Sequence, residues 1–267
     1  MSAVEHLTQA DSSVSFNGYF WQVIDSKNKV VLDAGTGFGF TTSEIAERIM
    51  HQNANSTIIS VDIDPEAFKE ARKQLRRHSL LKLHDLLKLV VFIRADLSHI
   101  PIKEEAIDLV VSTRTLADIE SFSCRVTRAL TEFYRILKKG GKVVASDEYP
   151  VPMPSSGEEE IAVLRWQLAK AISHLVGRRH ANEILPEDLE FVMRLVGFCE
   201  CEWAVFKGEK IPKRRINYFV ARSTEMCNKI INPHLKQAFV MAVTEVEKLY
   251  QEKGGVFPPK YVLRATK

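Results

Sequence analysis

The chain has 267 residues, 45% of them hydrophobic and 27% charged, with only 12 Gly and 10 Pro. This excludes collagen-like, low-complexity and disulfide mini-protein classes and predicts one globular domain over 1–267. The 37 Lys/Arg and 34 Asp/Glu leave a formal charge of +3, too small to argue by itself for a nucleic-acid or anionic-membrane partner.

In chain order, short β-rich runs at 29–33, 57–62, 89–94, 107–112 and 142–147 alternate with helical patterns, which predicts a parallel sheet. Nearly all-apolar runs such as Val30-Val31-Leu32 and Leu109-Val110-Val111 suit strands covered on both faces, hence a doubly wound α/β architecture. Between them, 41–50 reads as a helix turning Ile45, Ala46 and Ile49 inward. Pro65 opens a second helix with Phe68, Ala71 and Leu75 on its apolar side. A third, 124–137, ends at Lys138-Lys139-Gly140-Gly141, where cations suit the negative helix end and glycine permits a left-handed stop. After Pro150 the alternation breaks, and a helical stretch at 158–176 makes 150–185 read as an inserted cap. Pro186 opens a helix to 196, and 200–206 reads as a strand. The stretch 207–254 is expected to be a helical embellishment, with a strand candidate at 216–221 and a long helix at 234–251, before a last strand candidate at 261–265. Which late strand ends the sheet stays open.

The most informative segment is Val31-Leu32-Asp33-Ala34-Gly35-Thr36-Gly37-Phe38-Gly39, a buried strand running into three alternate glycines and then a helix. In a parallel sheet the crevice beyond the strand's carboxyl end is where ligands sit. Glycine lets the backbone turn sharply there, and a helix start offers free N–H groups. By itself the trio fits a tight turn without a ligand equally well. The next strand, however, ends in Asp62, at about the ~20-residue spacing expected of a ribose-binding acid, and the third is followed by Asp96. Gly-x-Gly-x-Gly departs from the Gly-x-Gly-x-x-Gly of nicotinamide dinucleotide sites. An acid just ahead of the loop, Asp33, favours a ligand with ammonium and sulfonium charges over a pyrophosphate. The ligand expected is S-adenosylmethionine.

At this point the chain resembles the class I S-adenosylmethionine-dependent methyltransferases. The likeness lies in Leu32 to Gly39, Val61-Asp62-Ile63-Asp64, Ala95-Asp96-Leu97, Ile107 to Ser112 and Arg135-Ile136-Leu137-Lys138-Lys139-Gly140-Gly141. It implies a Rossmann-like, mostly parallel seven-stranded sheet with helical insertions, whose 29–147 half binds the cofactor. It further implies that Asp33, Ala34, Gly35, Thr36, Gly37 and Gly39 surround the methionine portion. Asp62 would take the ribose and Asp96 the adenine amino group, with Ile63 and Leu97 sandwiching the adenine; Ser112 completes the expected cofactor set. Beyond Pro150 only the general form resembles the family.

Methyl transfer from sulfonium is an in-line displacement that alignment and water exclusion can drive, so a general base is optional. Asp118, Asp147 and Glu148 are candidates for one and Arg114 for orienting an anionic acceptor, each against a bland role in capping, solvation or pairing. His174 and His180 are weaker acceptor-side candidates. Tyr19, Phe20 and Trp21 could roof a cofactor but more simply pack an N-terminal helix. The acceptor expected is a small molecule methylated at oxygen or nitrogen. An RNA or protein acceptor is the alternative, because Lys69, Arg72, Lys73, Arg76 and Arg77, and again 207–215, form basic clusters that also read as solvated helix faces. Less favoured are a non-catalytic methyltransferase-like binding protein and a short-chain dehydrogenase, the latter for Tyr134-x-x-x-Lys138. The four cysteines (Cys124, Cys199, Cys201, Cys227) make neither a disulfide framework nor a zinc site, and Cys199-x-Cys201 reads as strand packing rather than a metalloid site. No metal and no membrane partner is expected, the setting is expected to be cytoplasmic, and the oligomeric state is left open.

Overall fold

A computed structural model describes residues 15–77, 88–119, 124–151, 153–178 and 182–267. The strands are β1 (Val30–Ala34), β2 (Thr57–Asp62), β3 (Val90–Arg94), β4 (Ile107–Thr113), β5 (Leu137–Glu148), β6 (Cys199–Phe206) and β7 (Lys260–Thr266). They form one seven-stranded sheet in the order β3-β2-β1-β4-β5-β7-β6. β1 pairs in parallel with β2 and β4, β2 with β3, and β4 with β5. β7 runs the opposite way, since Gly140 N donates to Lys267 O (2.9 Å) and Tyr149 N to Pro259 O (2.7 Å). Thr266 Oγ1 donates to Glu200 and Arg264 Nε to Glu202, so β6 is antiparallel to β7 and again parallel to β5. The mostly parallel α/β sheet is as expected, and its open question is resolved: β6 is the edge and the last strand inserts beside β5.

The helices among the described residues are α1 (Phe16–Val23), α2 (Phe40–His51), α3 (Pro65–Arg77), α4 (Leu116–Ile119), α5 (Arg125–Ile136), α6 (Gly157–Leu175), α7 (Pro186–Val196), α8 (Lys213–Cys227) and α9 (Pro233–Lys253). α2 buries Ile45, Ala46 and Ile49, and α3 buries Phe68, Ala71 and Leu75, the 3.6-residue spacing that makes each amphipathic. The α1 aromatics pack: Phe16 stacks on Phe20 at 5.7 Å, and Arg48 of α2 lies 4.6 Å over the Trp21 ring.

Two expectations are corrected. Residues 216–221 are helical, within α8, because Ile216, Phe219, Ser223 and Cys227 are its buried positions and recur at helical rather than alternating spacing. The 124–137 helix does not stop at the glycines. Its C-cap, Leu137, is already extended, and the chain passes directly into β5. Ile107 pairs with Leu137 but Leu109 with Lys142, so Lys138-Lys139-Gly140-Gly141 falls in a bulge against β4.

The chain divides into two compact units. The first is Met1–Asp147, Ile184–Val205 and Tyr261–Lys267 and carries the sheet. The second is Glu148–Glu183 and Phe206–Lys260. Its own core joins Ile161 and Ile172 of α6, Ile216 and Phe219 of α8, and Val243 and Val246 of α9.

Candidate active site

β1 runs straight into the loop Gly35 to Gly39, and α2 starts at Phe40. The loop folds back onto β2: Gly35 N and Thr36 N both donate to Val61 O (2.9 and 3.0 Å), and Gly39 N donates to Thr36 O (2.8 Å). Gly39 has φ 78°, and a Cβ there would fall 2.4 Å from Ala71 Cα, backbone of α3 that cannot yield. Gly35 is closed by the Thr115 side chain in the same way. Gly37 differs. Its φ is 48°, and nothing among the described residues lies within 4 Å of where its Cβ would be, so open space adjoins the loop at this point.

Asp62, the last residue of β2, borders that space. Its Oδ2 accepts from Gly37 N (2.9 Å) and its Oδ1 from Asp64 N (2.9 Å), and each carboxylate oxygen keeps a lone pair for a further donor. Capping α3 is not its role, because Asp64 accepts from Glu66 N (2.9 Å). Asp96 follows β3, and Ala95 N donates to Asp62 O (3.1 Å). Asp96 Oδ1 accepts from Ser98 N and Ser98 Oγ (2.8 Å each). These bonds, the backbone one foremost, hold its carboxyl below the usual range. Ile63 is exposed, whereas Leu97 is buried.

Asp33 lies under the loop at 1% exposure. Thr42 Oγ1 of α2 donates to its Oδ2 and is hydrogen-bonded to Ser60 Oγ of β2 (2.7 Å). Burial, opposed by the Thr42 bond and reinforced by the charge of Asp62, pushes the carboxyl up to about 7. Neither Thr42 nor Ser60 stood out in the sequence; the available signal was a polar residue on an otherwise apolar helix face. Asp33 Oδ1, Thr36 Oγ1 and the Oγ of Ser112, which registers with Ala34, are buried without a partner among the described residues. A buried polar atom left unmade costs about 1–3 kcal/mol. Three of them around the tip of β1, beside the open space at Gly37, fit a polar ligand with cationic and hydroxyl donors.

Of the acceptor-side candidates, Arg114, Asp118 and Asp147 belong to the first unit, and Glu148 and His174 to the second. Arg114 directly follows β4 with φ 56°, its N donating to Ser146 O of β5 (2.8 Å). Asp118 belongs to α4, and Asp147 and Glu148 end β5. Arg114 and Asp118 are exposed and Glu148 is buried. Thr113 and Ser146 are register partners whose buried hydroxyls have no partner among the described residues, a pairing that only strand register reveals. His174 is exposed in α6, and His180 lies outside the described residues. The dehydrogenase pair is not formed. Lys138 belongs to β5 and binds Asp108 Oδ1 (2.7 Å), while the Tyr134 ring packs edge-on against Phe198 at 5.1 Å, both at the amino-terminal edge of the sheet. The basic residues of α3 are largely a solvated face: Lys69 and Lys73 pair with Glu66 and Glu70, and Arg72 covers the Phe92 ring at 4.6 Å. Among the described residues no His/Cys/Asp/Glu group suited to a metal occurs, and no helix is long and apolar enough to cross a membrane.

Comparison with known proteins gives a likeness to methyltransferases. Residues 32–145 match the family described as methyltransferase domain. The chain is similar to the arsenite methyltransferase of Halobacterium salinarum, 26% identical over 119 residues, which is 45% of this chain and 27% of that protein. It thus spans well under half the length of the curated relatives it matches. Among solved structures it is similar to the YcgJ protein of Bacillus subtilis, 14% identical, TM-score 0.59, over 93% of this chain and 96% of that one. A second is phosphoethanolamine N-methyltransferase 2 of Haemonchus contortus, solved with phosphomonomethylethanolamine and S-adenosylhomocysteine. It is 15% identical, TM-score 0.51, over 92% of this chain and 50% of that one. Residues 32–145 of the chain thus match a methyltransferase domain, on a fold shared with methyltransferases of known structure.

Proposed function

We propose that the protein is an S-adenosylmethionine-dependent methyltransferase acting on an oxygen or nitrogen of a small-molecule acceptor. The observation that carries this reading is the convergence of Asp62, Asp96 and the glycine loop on one sheet edge, with buried oxygens beneath it that have no partner among the described residues. When bound, S-adenosylmethionine supplies an electrophilic methyl on sulfonium. Asp62 accepts the ribose hydroxyls through the lone pairs that Gly37 and Asp64 leave free. Asp96 keeps Oδ2 for the adenine amino group while Ser98 holds Oδ1. Exposed Ile63 supplies one apolar face, and Leu97, already buried, backs the other. Ala34, Gly35, Thr36, Gly37 and Gly39 shape the methionine end, with Ser112 and the spare oxygen of Asp33 as further acceptors. Arg114 just after β4, Asp118 in α4, and Asp147 and Glu148 at the end of β5 are assigned to the acceptor side.

The name of the arsenite relative does not direct us to a thiol-held metalloid. Cys199 opens β6, which runs parallel to β5, so Cys199 and Cys201 lie toward the amino-terminal edge, opposite the glycine loop. Burial also pushes the Cys201 thiol up, away from the reactive thiolate. Titration calorimetry with S-adenosylmethionine and S-adenosylhomocysteine tests the cofactor assignment. Binding is expected, and Asp62→Ala should weaken it by about 1–3 kcal/mol with the protein still folded. No heat with either ligand on folded protein would sink the proposal; wild-type affinity in Asp62→Ala would remove the ribose assignment alone. Labelled methyl appearing only in macromolecules of an extract would overturn the small-molecule acceptor.

A further inference from the structure

The second compact unit carries a surface, at 206–236, that includes none of the residues assigned above to methyl transfer. Residues 206–236 hold eight Lys/Arg against two Glu, and only Arg222 has an ion pair with a described residue, Glu225 at 3.9 Å. Lys213, Arg214 and Arg215 fill the first turn of α8, with no acid there and no side-chain cap. Cations at that end oppose the helix dipole, and an anionic surface lying against them would relieve the conflict. From Arg214, steps of four residues run along the exposed side of α8 through Tyr218, 64% exposed, to Arg222.

The turn into α9 then presents Ile231 at 98% exposure, with Lys229 before it and Leu235, 43% exposed, in the first turn of α9. The core of this unit is complete without them, since α8 and α9 meet through Ile216, Phe219, Val243 and Val246. Ile231 is therefore not a displaced core residue. It is a fully hydrated aliphatic side chain at the tip of a basic hairpin, and from Met226 to Thr244 there is no acid at all.

We propose that the α8–α9 hairpin docks on an anionic lipid bilayer, with Ile231 and Leu235 entering the headgroup boundary and the α8 cations pairing with acidic lipids. A nucleic acid would use the cations and Tyr218 but leaves Ile231 in water. A second copy related by a two-fold axis would bring cations against cations. A bilayer engages both features, and tyrosine is at home at its interface. Surface docking needs no spanning helix. The inference is independent of the methyl-transfer reading.

The test is cosedimentation of the full chain with phosphatidylcholine vesicles, plain or carrying about one-third phosphatidylserine. Binding is expected only to the anionic vesicles and should weaken as salt rises. Ile231→Ser/Leu235→Ser should lower partitioning about tenfold. Lys213→Glu/Arg214→Glu/Arg215→Glu should lower it about a hundredfold. All five positions are exposed, so circular dichroism and melting temperature should match the parent. Equal binding to neutral vesicles, absence of binding to anionic ones, or wild-type partitioning of the serine variant would each overturn the proposal. Tight binding of single-stranded RNA unaffected by the serine pair, without vesicle binding, would make the face a nucleic-acid surface instead. A dimer lost in the serine variant, without vesicle binding, would make it a contact between copies.

Discussion

Asp33 shows how a residue's place in the chain can be legible from sequence while its partners are not. Its position before the loop was legible from strand pattern and glycine spacing. Its hydrogen-bond partners were not, because Thr42 is brought to it by the folding back of α2 and Ser60 by the register of β1 on β2. The consequence is a pH dependence with a definite sign. Burial raises the carboxyl from 3.8 to about 7, so between those values the folded state holds a proton that the unfolded chain has lost. Stability from this group is fully present below 3.8 and is lost as pH rises through about 7. Asp33→Asn keeps an acceptor for Thr42 and removes the titration. Urea unfolding of parent and variant at pH 5 and pH 8 should show the variant gaining relative to the parent at the higher pH. Parallel behaviour at both would mean the carboxyl is not desolvated in the free protein.

At the scale of elements, two side chains of α5, Arg135 and Glu132, hold it to the crossover leading into β4. Arg135 donates from Nη1 to Ile102 O (2.9 Å), from Nη2 to Ile100 O (3.0 Å), and from Nε to Glu132 Oε1 (2.9 Å). Glu132 Oε2 in turn accepts from Ile100 N (2.9 Å). Planar, forked recognition of this kind is what lysine cannot reproduce. Arg135→Ala should cost about 1–3 kcal/mol by leaving carbonyls unmade, and Arg135→Lys should recover only a fraction; the midpoints of urea transitions measure both. Equal stability of the lysine variant and the parent would show that charge rather than geometry matters. The helix itself was legible from its apolar period, but the partner of Arg135 was not, since it lies more than thirty residues away in the chain. Residues 216–221 failed differently. Ile216, Tyr218, Phe219 and Val220 are strand-prone in a short window, and only the continuation of the buried set to Ser223 and Cys227 reveals the helix.

Across the whole molecule, local pattern located all seven strands but not their order, because nothing in a strand's composition says which neighbour it inserts between. β7 is the last strand of the chain yet lies between β5 and β6. It buries Tyr261, Val262, Leu263 and Ala265. Its closing residue ties back to the start of β5, with Lys267 N donating to Gly141 O (2.9 Å) and Lys267 Nζ to Leu137 O (2.7 Å). Burying its three large side chains contributes roughly 1.5–3 kcal/mol each, and that sum approaches the ~5–15 kcal/mol by which a domain is stable. Deleting 260–267 should therefore do more than shorten an edge. It should uncover the inner edge of β5 and leave β6 without a partner in the sheet, so the sigmoidal urea transition followed by circular dichroism should be lost. Removing Lys267 alone, which takes away the terminal ties but none of that burial, should shift the midpoint and keep the slope. A deletion variant that still unfolds in one transition with the parent's slope would mean that β6 closes directly onto β5, and that the inserted strand is an addition to the sheet rather than the piece that completes it.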